Sequence, residues 1–266
     1  MLRAAHQIID ASPPVLADSV IGRLLGPDTE ARIRGELDRF QSRPARGLRS
    51  HVVLRARFTE DALAEAATRG VSQYVVLGAG LDTFAYRQPA WARGLDIIEV
   101  DHPASQAAKR EALAQAGIHV PANVRYADID FEHETLASGL ARCGVSHSRC
   151  TFFSWLGVTM YLTRDAIDAV LATIVTFPRG SEIVLTFAQR RTDEEGDGGR
   201  LAAGAAAIGE PWLSYFEPDE MAAVLSRHGF SAVQFPTRDD VIARYYAGRR
   251  DGLGAPRRIS LCTAIV

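Results

Sequence analysis

A pair of glycines at the end of one β-rich run, and acids at the ends of the next two, are the residue types that hold the sugar of a nucleoside. Gln73-Tyr74-Val75-Val76-Leu77 runs into Gly78-Ala79-Gly80, where missing side chains let the backbone come close to a ligand that any Cβ would obstruct. A carboxylate about 20 residues further on suits ribose hydroxyls, and both Glu99 and Asp101 stand at that distance. Asp128 closes a third run, Val124-Arg125-Tyr126-Ala127. Thr83 occupies the place where a dinucleotide fingerprint needs its third glycine, which disfavours a pyrophosphate resting on a helix N-terminus. A ribose without a pyrophosphate fits better. The structural alternative for Gly78 and Gly80 is a tight turn and nothing more.

Such residues need a scaffold that gathers strand ends on one rim. Residues 73–77, 95–100 and 124–127 read as strands, with a helix-length connection between the first two. A helix over 103–117 has Pro103 at its first position and Gly117 beyond its end. The alternation goes on with a strand at 150–154, a helix over 164–176, an apolar strand at 182–187, a helix over 218–228, and strands around 232–235 and 259–266. This series predicts an α/β architecture, a parallel sheet covered on both faces, which binds ligands at the carboxyl ends of its strands. Upstream, residues 58–70 read as a helix capped by Thr59. Residues 1–50 read as two or three short helices, broken at Ser12-Pro13-Pro14 and Gly26-Pro27. The pattern divides the chain into an N-terminal helical cap, 1–57, and a main domain, 58–266. Residues 190–216 break the alternation, charged and Gly-rich at first and then rich in small residues up to Pro211-Trp212. There a lid or substrate-side insertion competes with a plain solvated loop.

Composition narrows the partners. Of 266 residues, 47% are hydrophobic and 23% charged, the make-up of a globular protein rather than a disordered or fibrous one. Lys+Arg number 30 against 32 Asp+Glu, a formal charge of −2, so the cationic surplus expected of a nucleic-acid binder is missing. No apolar run reaches the roughly 18 residues of a membrane span, and His6, Gln7 and Asp10 interrupt the first one before it reaches signal-peptide length. Cys143, Cys150 and Cys262 are odd in number and lack C-x-x-C spacing. Neither a disulfide framework nor a metal site is expected, and the simplest setting is a cytoplasm with reduced thiols. Oligomeric state leaves no signal.

S-adenosylmethionine is a ligand of the kind these acids suit, an adenosine without a pyrophosphate. The runs VLGAGLDTFAYRQP (76–89), IIEVDHPASQAAKREAL (97–113) and FFSWLGVTMYLT (152–163) resemble the leucine carboxyl methyltransferase family, including its bacterial polyketide and mycobacterial O-methyltransferase branches. The resemblance extends from about Asp18 to Val266. It implies a Rossmann-like class I methyltransferase sheet, mostly parallel with the last strand antiparallel, S-adenosylmethionine as methyl donor, and an oxygen as acceptor. By similarity Gly78, Ala79 and Gly80 lie under the methionine part, Asp101 binds the ribose hydroxyls, and Asp128 with Ile129 contacts adenine. The family's arginine in the helix before strand one, which resembles one holding the donor's carboxylate, falls in VLRARFTEDAL at Arg55. Ala56 replaces the usual threonine, and Arg57 competes for the role. Leu156-Gly157 stands where much of the family has Glu-Gly, and the WLGV form resembles the polyketide-modifying branch, which points to a small natural-product acceptor.

A sulfonium methyl is already activated, so the in-line displacement chiefly needs the acceptor oxygen aligned with it. A carboxylic acid, with an ordinary pKa of about 4, arrives ionised at neutral pH, whereas a phenol, near 10, needs a base. The candidate bases are His102, beside Asp101, and Tyr161, in the loop after the fourth strand. Trp155, Met160 and Tyr161 are the candidate lining of an acceptor pocket. Each has a packing alternative, a cap for His102 and the core for the others. Arg87 reads either as a tie to a neighbouring carboxylate or as a substrate residue, and His6 as a reach from the cap into the acceptor pocket. Two other functions compete. One is a NAD(P)-type Rossmann oxidoreductase or epimerase, against which Thr83 counts; the other is a non-catalytic binder of S-adenosylmethionine.

Overall fold

Seven strands, β1 (Gln73–Leu77), β2 (Asp96–Asp101), β3 (Val124–Asp128), β4 (Thr151–Trp155), β5 (Glu182–Thr186), β6 (Ala232–Gln234) and β7 (Leu261–Ile265), form one sheet in the order β3-β2-β1-β4-β5-β7-β6. The computed structural model describes residues 1–130, 133–190, 203, 206–207 and 211–266. β1 to β5 pair in parallel, and β7 runs antiparallel to both β5 and β6. Leu77 aligns with Val100 on one side and Trp155 on the other, and Asp101 aligns with Asp128. The ends of β1 to β4 therefore share one rim.

Successive side chains of a strand point to opposite faces, and both faces here are covered. On one, Val75, Leu77, Ile98, Val100, Phe153 and Trp155 join helices α7 (Leu136–Arg142), α8 (Arg164–Ile174) and α9 (Pro218–His228) in the largest core cluster. On the other, Tyr74, Val76, Ile97 and Phe152 pack against Leu63 and Ala66 of α5 (Arg43–Thr68) and against Phe84 and Ala92. β1 is buried along its whole length, as a central strand covered on both sides must be. Helix α6 (Pro103–Gln115) connects β2 to β3.

The N-terminal segment carries α1 (Leu2–Ile9), α2 (Ile21–Leu24), α3 (Thr29–Gly35) and α4 (Leu37–Gln41). Ala4, Ala5, Ile21, Leu24 and Ile33 pack with Leu113 of α6, and Val15 and Leu16 pack with Val53 and Leu54 of α5. Its staple is buried and ionic. Arg49, 1% exposed, grips Asp10 with Nε at 2.7 Å and Nη2 at 2.8 Å and donates to the Phe40 carbonyl at 2.7 Å. The far end of the chain also holds this segment, because Arg249 donates to the carbonyls of Pro13 and Ala11 and Asp251 accepts from Ala11 N–H. Beyond a short α10 (Arg238–Val241), one turn of π-helix, Ile242–Tyr246, brings Tyr246 to Ser50.

Several expectations change. The helix expected at 58–70 begins at Arg43, where the Ser42 hydroxyl accepts from Ala45 N–H. It runs unbroken across the 57/58 boundary of the expected cap. Thr59, read as a cap, lies mid-helix and donates back to the Arg55 carbonyl at 2.7 Å, the local bond that Thr makes inside helices. The β1–β2 connection holds two 3₁₀ turns, Phe84–Tyr86 and Ala90–Gly94, instead of an α-helix. The Asp82 carboxylate takes Phe84 N–H, and Pro89 stops any continuation. α7 was not foreseen in the sequence. Most of the 190–216 stretch lies outside the described residues, but residues 213 to 216 dock through Leu213 and Ser214 N–H on the Met160 carbonyl and Phe216 N–H on Ala188. Among the described residues no helix is long and apolar enough to cross a membrane.

Candidate active site

At the shared rim the β1 turn, the loop after β4, α5 and the first residues of the chain enclose a cavity of about 470 Å³. Its wall includes Gly78 to Asp82, Ser154, Leu156 to Val158, Val52, Arg55 and Ala56, with Met1, Leu2 and Arg3 covering one side. Gly78 has φ +66°, and a Cβ there would overlap Val158 Cγ2. The glycine is thus required by the approach of the β4 loop, a reason internal to the chain. A Cβ on Gly80, at φ +44°, would come no closer than 4.0 Å to its nearest neighbour, the Gly78 carbonyl oxygen.

The acids at the strand ends separate sharply. Glu99 is fully buried, with the Lys109 ammonium at 2.7 Å and the Tyr86 hydroxyl donating at 2.8 Å; burial pushes its carboxyl up. It is committed to holding α6 and cannot face a ligand. Asp101 sits at the rim, where its carboxylate accepts from Gly80 N–H and from His102 N–H. These two bonds fix it beside the glycine turn. Asp128, level with it on β3, is exposed. Ile129 is fully buried; its N–H donates to the Asp101 carbonyl, and its side chain fills the space over Gly139 of α7. Only its backbone stays near the rim.

Arg55 is the group in the cavity that the described residues leave without a counter-ion. Its guanidinium lies against Gly157, where a Cβ would be 2.5 Å from Nη1, so Gly157 makes the space it occupies. Among the described residues it has no hydrogen-bond or ion-pair partner. Burial, aided by the nearby Arg3, pushes it down to about 10 while Tyr161 and Asp82 pull the other way, which keeps it cationic at neutral pH. His51, one turn earlier, is pushed down to about 4 by burial and by Arg55, and so is neutral. Arg57, two residues on and about 200° around the helix, faces away from this cavity and pairs with Asp61 at 2.9 Å.

The proposed acceptor residues scatter. Trp155 is 1% exposed inside the core under α8, so the packing alternative prevails for it. Met160 is also buried, its carbonyl receiving Leu213 and Ser214. Tyr161 ends the 3₁₀ turn Thr159–Tyr161, half-buried and close enough for its field to act on Arg55. His102 is exposed, and its Nδ1 accepts from Ala104 N–H, the cap of α6. His6 does not reach the cavity. It is buried at 1% exposure, with Nε2 accepting from Leu16 N–H and Nδ1 on Asp10 at 2.8 Å. Arg87 is a tie, pairing with Glu60 and reaching Thr83 Oγ1 at 3.1 Å. Sequence reasoning missed two members. Arg3 donates to the Leu81 carbonyl, and Asp18, 2% exposed, takes the Thr83 hydroxyl at 2.7 Å together with Val20 and Ile21 N–H. An Asp three residues before an apolar helical residue was the available signal for Asp18; Arg3 offered none. Among the described residues no His, Cys, Asp and Glu cluster could hold a metal.

A sheet with this strand order and its antiparallel β7, bearing a glycine turn, a carboxylate at the next strand end and an unpaired cation at one rim, is the class I S-adenosylmethionine-dependent methyltransferase fold. The chain belongs to the leucine carboxyl methyltransferase family, whose sequence model matches residues 1–175. YktD of Bacillus subtilis, provisionally named an S-adenosyl-L-methionine-dependent methyltransferase, is 33% identical over 216 residues, covering 79% of this chain and 71% of that protein. A Streptomyces coelicolor protein with the same provisional name is 31% identical over 243 residues, covering 90% of this chain and 76% of the relative. In fold, a crystal structure from Thermobifida fusca, titled provisionally as a methyltransferase, superposes with a TM-score of 0.58 at 17% identity over 92% of both chains.

Proposed function

We propose that the protein methylates an oxygen, by preference a carboxylate, of a small natural-product-like acceptor, with S-adenosylmethionine as donor. The observation that carries the donor side is the unpaired Arg55 guanidinium in the cavity beside the glycine turn. Arg55 is half-buried, and a cation partly withdrawn from water without a counter-ion is costly; a fork of this kind suits the carboxylate of an amino acid. S-adenosylmethionine brings an electrophilic methyl group on a sulfonium. In this reading Arg55 holds the donor's carboxylate, Gly78, Ala79 and Gly80 lie under its methionine part, Asp101 accepts from the ribose hydroxyls, and Asp128 with the Ile129 backbone flanks adenine. Residues 1–57 act as a cap over the cavity, and Tyr161 borders the acceptor side. What supports the carboxylate preference is a lining that, among the described residues, contains no histidine. The Asp82 carboxylate there is tied to Phe84 N–H and lies 3.9 Å from Arg3, whereas an already ionised acceptor needs alignment and no base.

Titration calorimetry with S-adenosylhomocysteine, with NAD in parallel, tests the donor. Binding of the first alone is the expected result, and binding of NAD alone overturns the reading. Mass spectrometry of products from matched carboxylic acids and phenols then tests the acceptor: methyl esters support the preference, and aryl ethers alone reject it. Asp101→Ala is expected to weaken S-adenosylhomocysteine by about 1.5–3 kcal/mol, the value of a hydrogen bond to a charged group. Unchanged affinity would remove Asp101 from the site.

A further inference from the structure

On the opposite side of α5 from Arg55 lies a second cavity, about 580 Å³, between residues 11–15 and residues 244–250. Its lining contains four arginines, Arg57, Arg244, Arg249 and Arg250, and no carboxylate-bearing residue. Asp61, Glu65 and Asp251 pair with these arginines without forming part of the wall.

The four guanidiniums are not equally committed. Arg249 is used up, with Nε and Nη2 on Asp251, Nη1 on the Pro13 carbonyl at 2.7 Å and Nη2 on the Ala11 carbonyl at 2.9 Å. It builds the wall. Arg57 bonds Asp61 through Nε alone, and Arg244 reaches Asp61 and Glu65 through Nη2 alone, each at 3.2 Å. Arg250 is exposed and has no partner among the described residues. Three arginines thus keep N–H donors that the described chain does not satisfy. The rest of the lining is the stretch 11–15, which includes Pro13, Pro14 and Val15, together with Ala247, Gly248 and Tyr245, whose hydroxyl is occupied by Asp61 at 3.0 Å and whose ring is an apolar surface with the Arg244 guanidinium 5.4 Å from its centre.

Guanidinium forks match phosphoryl oxygens, which accept several charge-assisted bonds at once. A single carboxylate would saturate one fork and leave the others unused. The apolar lining suits an organic group attached to that phosphate, and the volume falls within the usual range for small-molecule sites, about 300–1,000 Å³. We infer that this cavity is a second ligand site, taking a phosphorylated small molecule whose phosphate meets Arg57, Arg244 and Arg250 and whose organic part lies on Pro13, Pro14 and the Tyr245 ring. The inference is independent of the proposed methyl transfer, since neither S-adenosylmethionine nor a simple carboxylic acid carries a phosphate.

The test is titration of the full chain with phenyl phosphate, with inorganic phosphate and benzoate at matched ionic strength. Saturable binding of phenyl phosphate is expected, at least tenfold tighter than benzoate and tighter than inorganic phosphate. It should weaken at least tenfold in Arg57→Gln/Arg250→Gln, and it should persist both in Arg55→Gln and with saturating S-adenosylhomocysteine. Absence of saturable binding at millimolar phenyl phosphate overturns the proposal, as does equal affinity for benzoate. Loss of binding in Arg55→Gln, or displacement by S-adenosylhomocysteine, would place the phosphate in the rim cavity and also overturn it. Retained S-adenosylhomocysteine binding certifies the fold of the double variant; if that is lost, Arg250→Gln alone, at an exposed residue without a partner, carries the same test.

Discussion

Replacing Arg55 with alanine is expected to weaken S-adenosylhomocysteine by about 2–5 kcal/mol, the range for truncating one member of a buried, hydrogen-bonded charge pair. The same substitution is expected to leave 5′-methylthioadenosine, which has no carboxylate, within about twofold by the same argument. Calorimetry with the two ligands reads the difference. The contrast is sharp because Arg55 has no partner among the described residues: truncation breaks no ion pair there, so a general loss of folding is not the expected route to weaker binding. Arg55→Lys keeps the charge and loses the fork, and should recover only part of the affinity. Equal losses for both ligands would show that Arg55 shapes the cavity instead of holding the carboxylate.

The second large effect concerns stability. Asp10→Ala leaves Arg49 buried with its charge uncompensated, a change that costs about 3–5 kcal/mol. For a chain of this size each kcal/mol moves Tm by about 2–4 °C, so a calorimetric scan should show a drop on the order of 10 °C. The pH dependence has a definite sign. Burial by itself pushes the Asp10 carboxyl up, but the bonds from His6 and Arg49 outweigh it and hold the group below the usual carboxylate range. A carboxyl depressed in the folded state stabilises fully above its unfolded pKa of about 3.9, and that contribution is lost as pH falls through the folded value. The gap between wild-type and Asp10→Ala stability should therefore be constant at neutral pH and narrow below about pH 4. A gap that ignores acid would assign the loss to packing.

Much of the scaffold was legible because the strands are apolar runs bounded by glycine or acid, a local pattern. β2, β3, β5 and α9 begin and end within about one residue of the sequence reading. The β1–β2 connection was misread for a tertiary reason: Tyr86 and Arg87 are drawn to Glu99 and Glu60, partners far along the chain, and no helical periodicity records that. The same holds for Glu99 against Asp101. Both acids stand at a suitable distance from Gly80, and Lys109 of α6 together with the Tyr86 hydroxyl decides that Glu99 turns inward. Arg55 was readable only through family resemblance, since Arg57 lies in the same helix with equal chemistry. The helix phase that sends one to each cavity depends on where α5 packs. Trp155 shows the opposite limit, an aromatic residue after a strand that reads equally well as pocket or core.

The clamp of Arg249 and Asp251 on Ala11 and Pro13 joins residues about 240 positions apart. Contacts of such sequence separation form late, because the loop they close must first be brought together. As the chain emerges from the ribosome, the strands that carry the glycine turn and Asp101 are complete long before residues 249–251 exist to secure the N-terminal segment. The Met1–Arg3 wall of the rim cavity does not wait for that clamp, because α1 already packs on Leu113 of α6 and Arg49 already grips Asp10; the clamp tightens a segment whose seat is set by earlier parts of the chain.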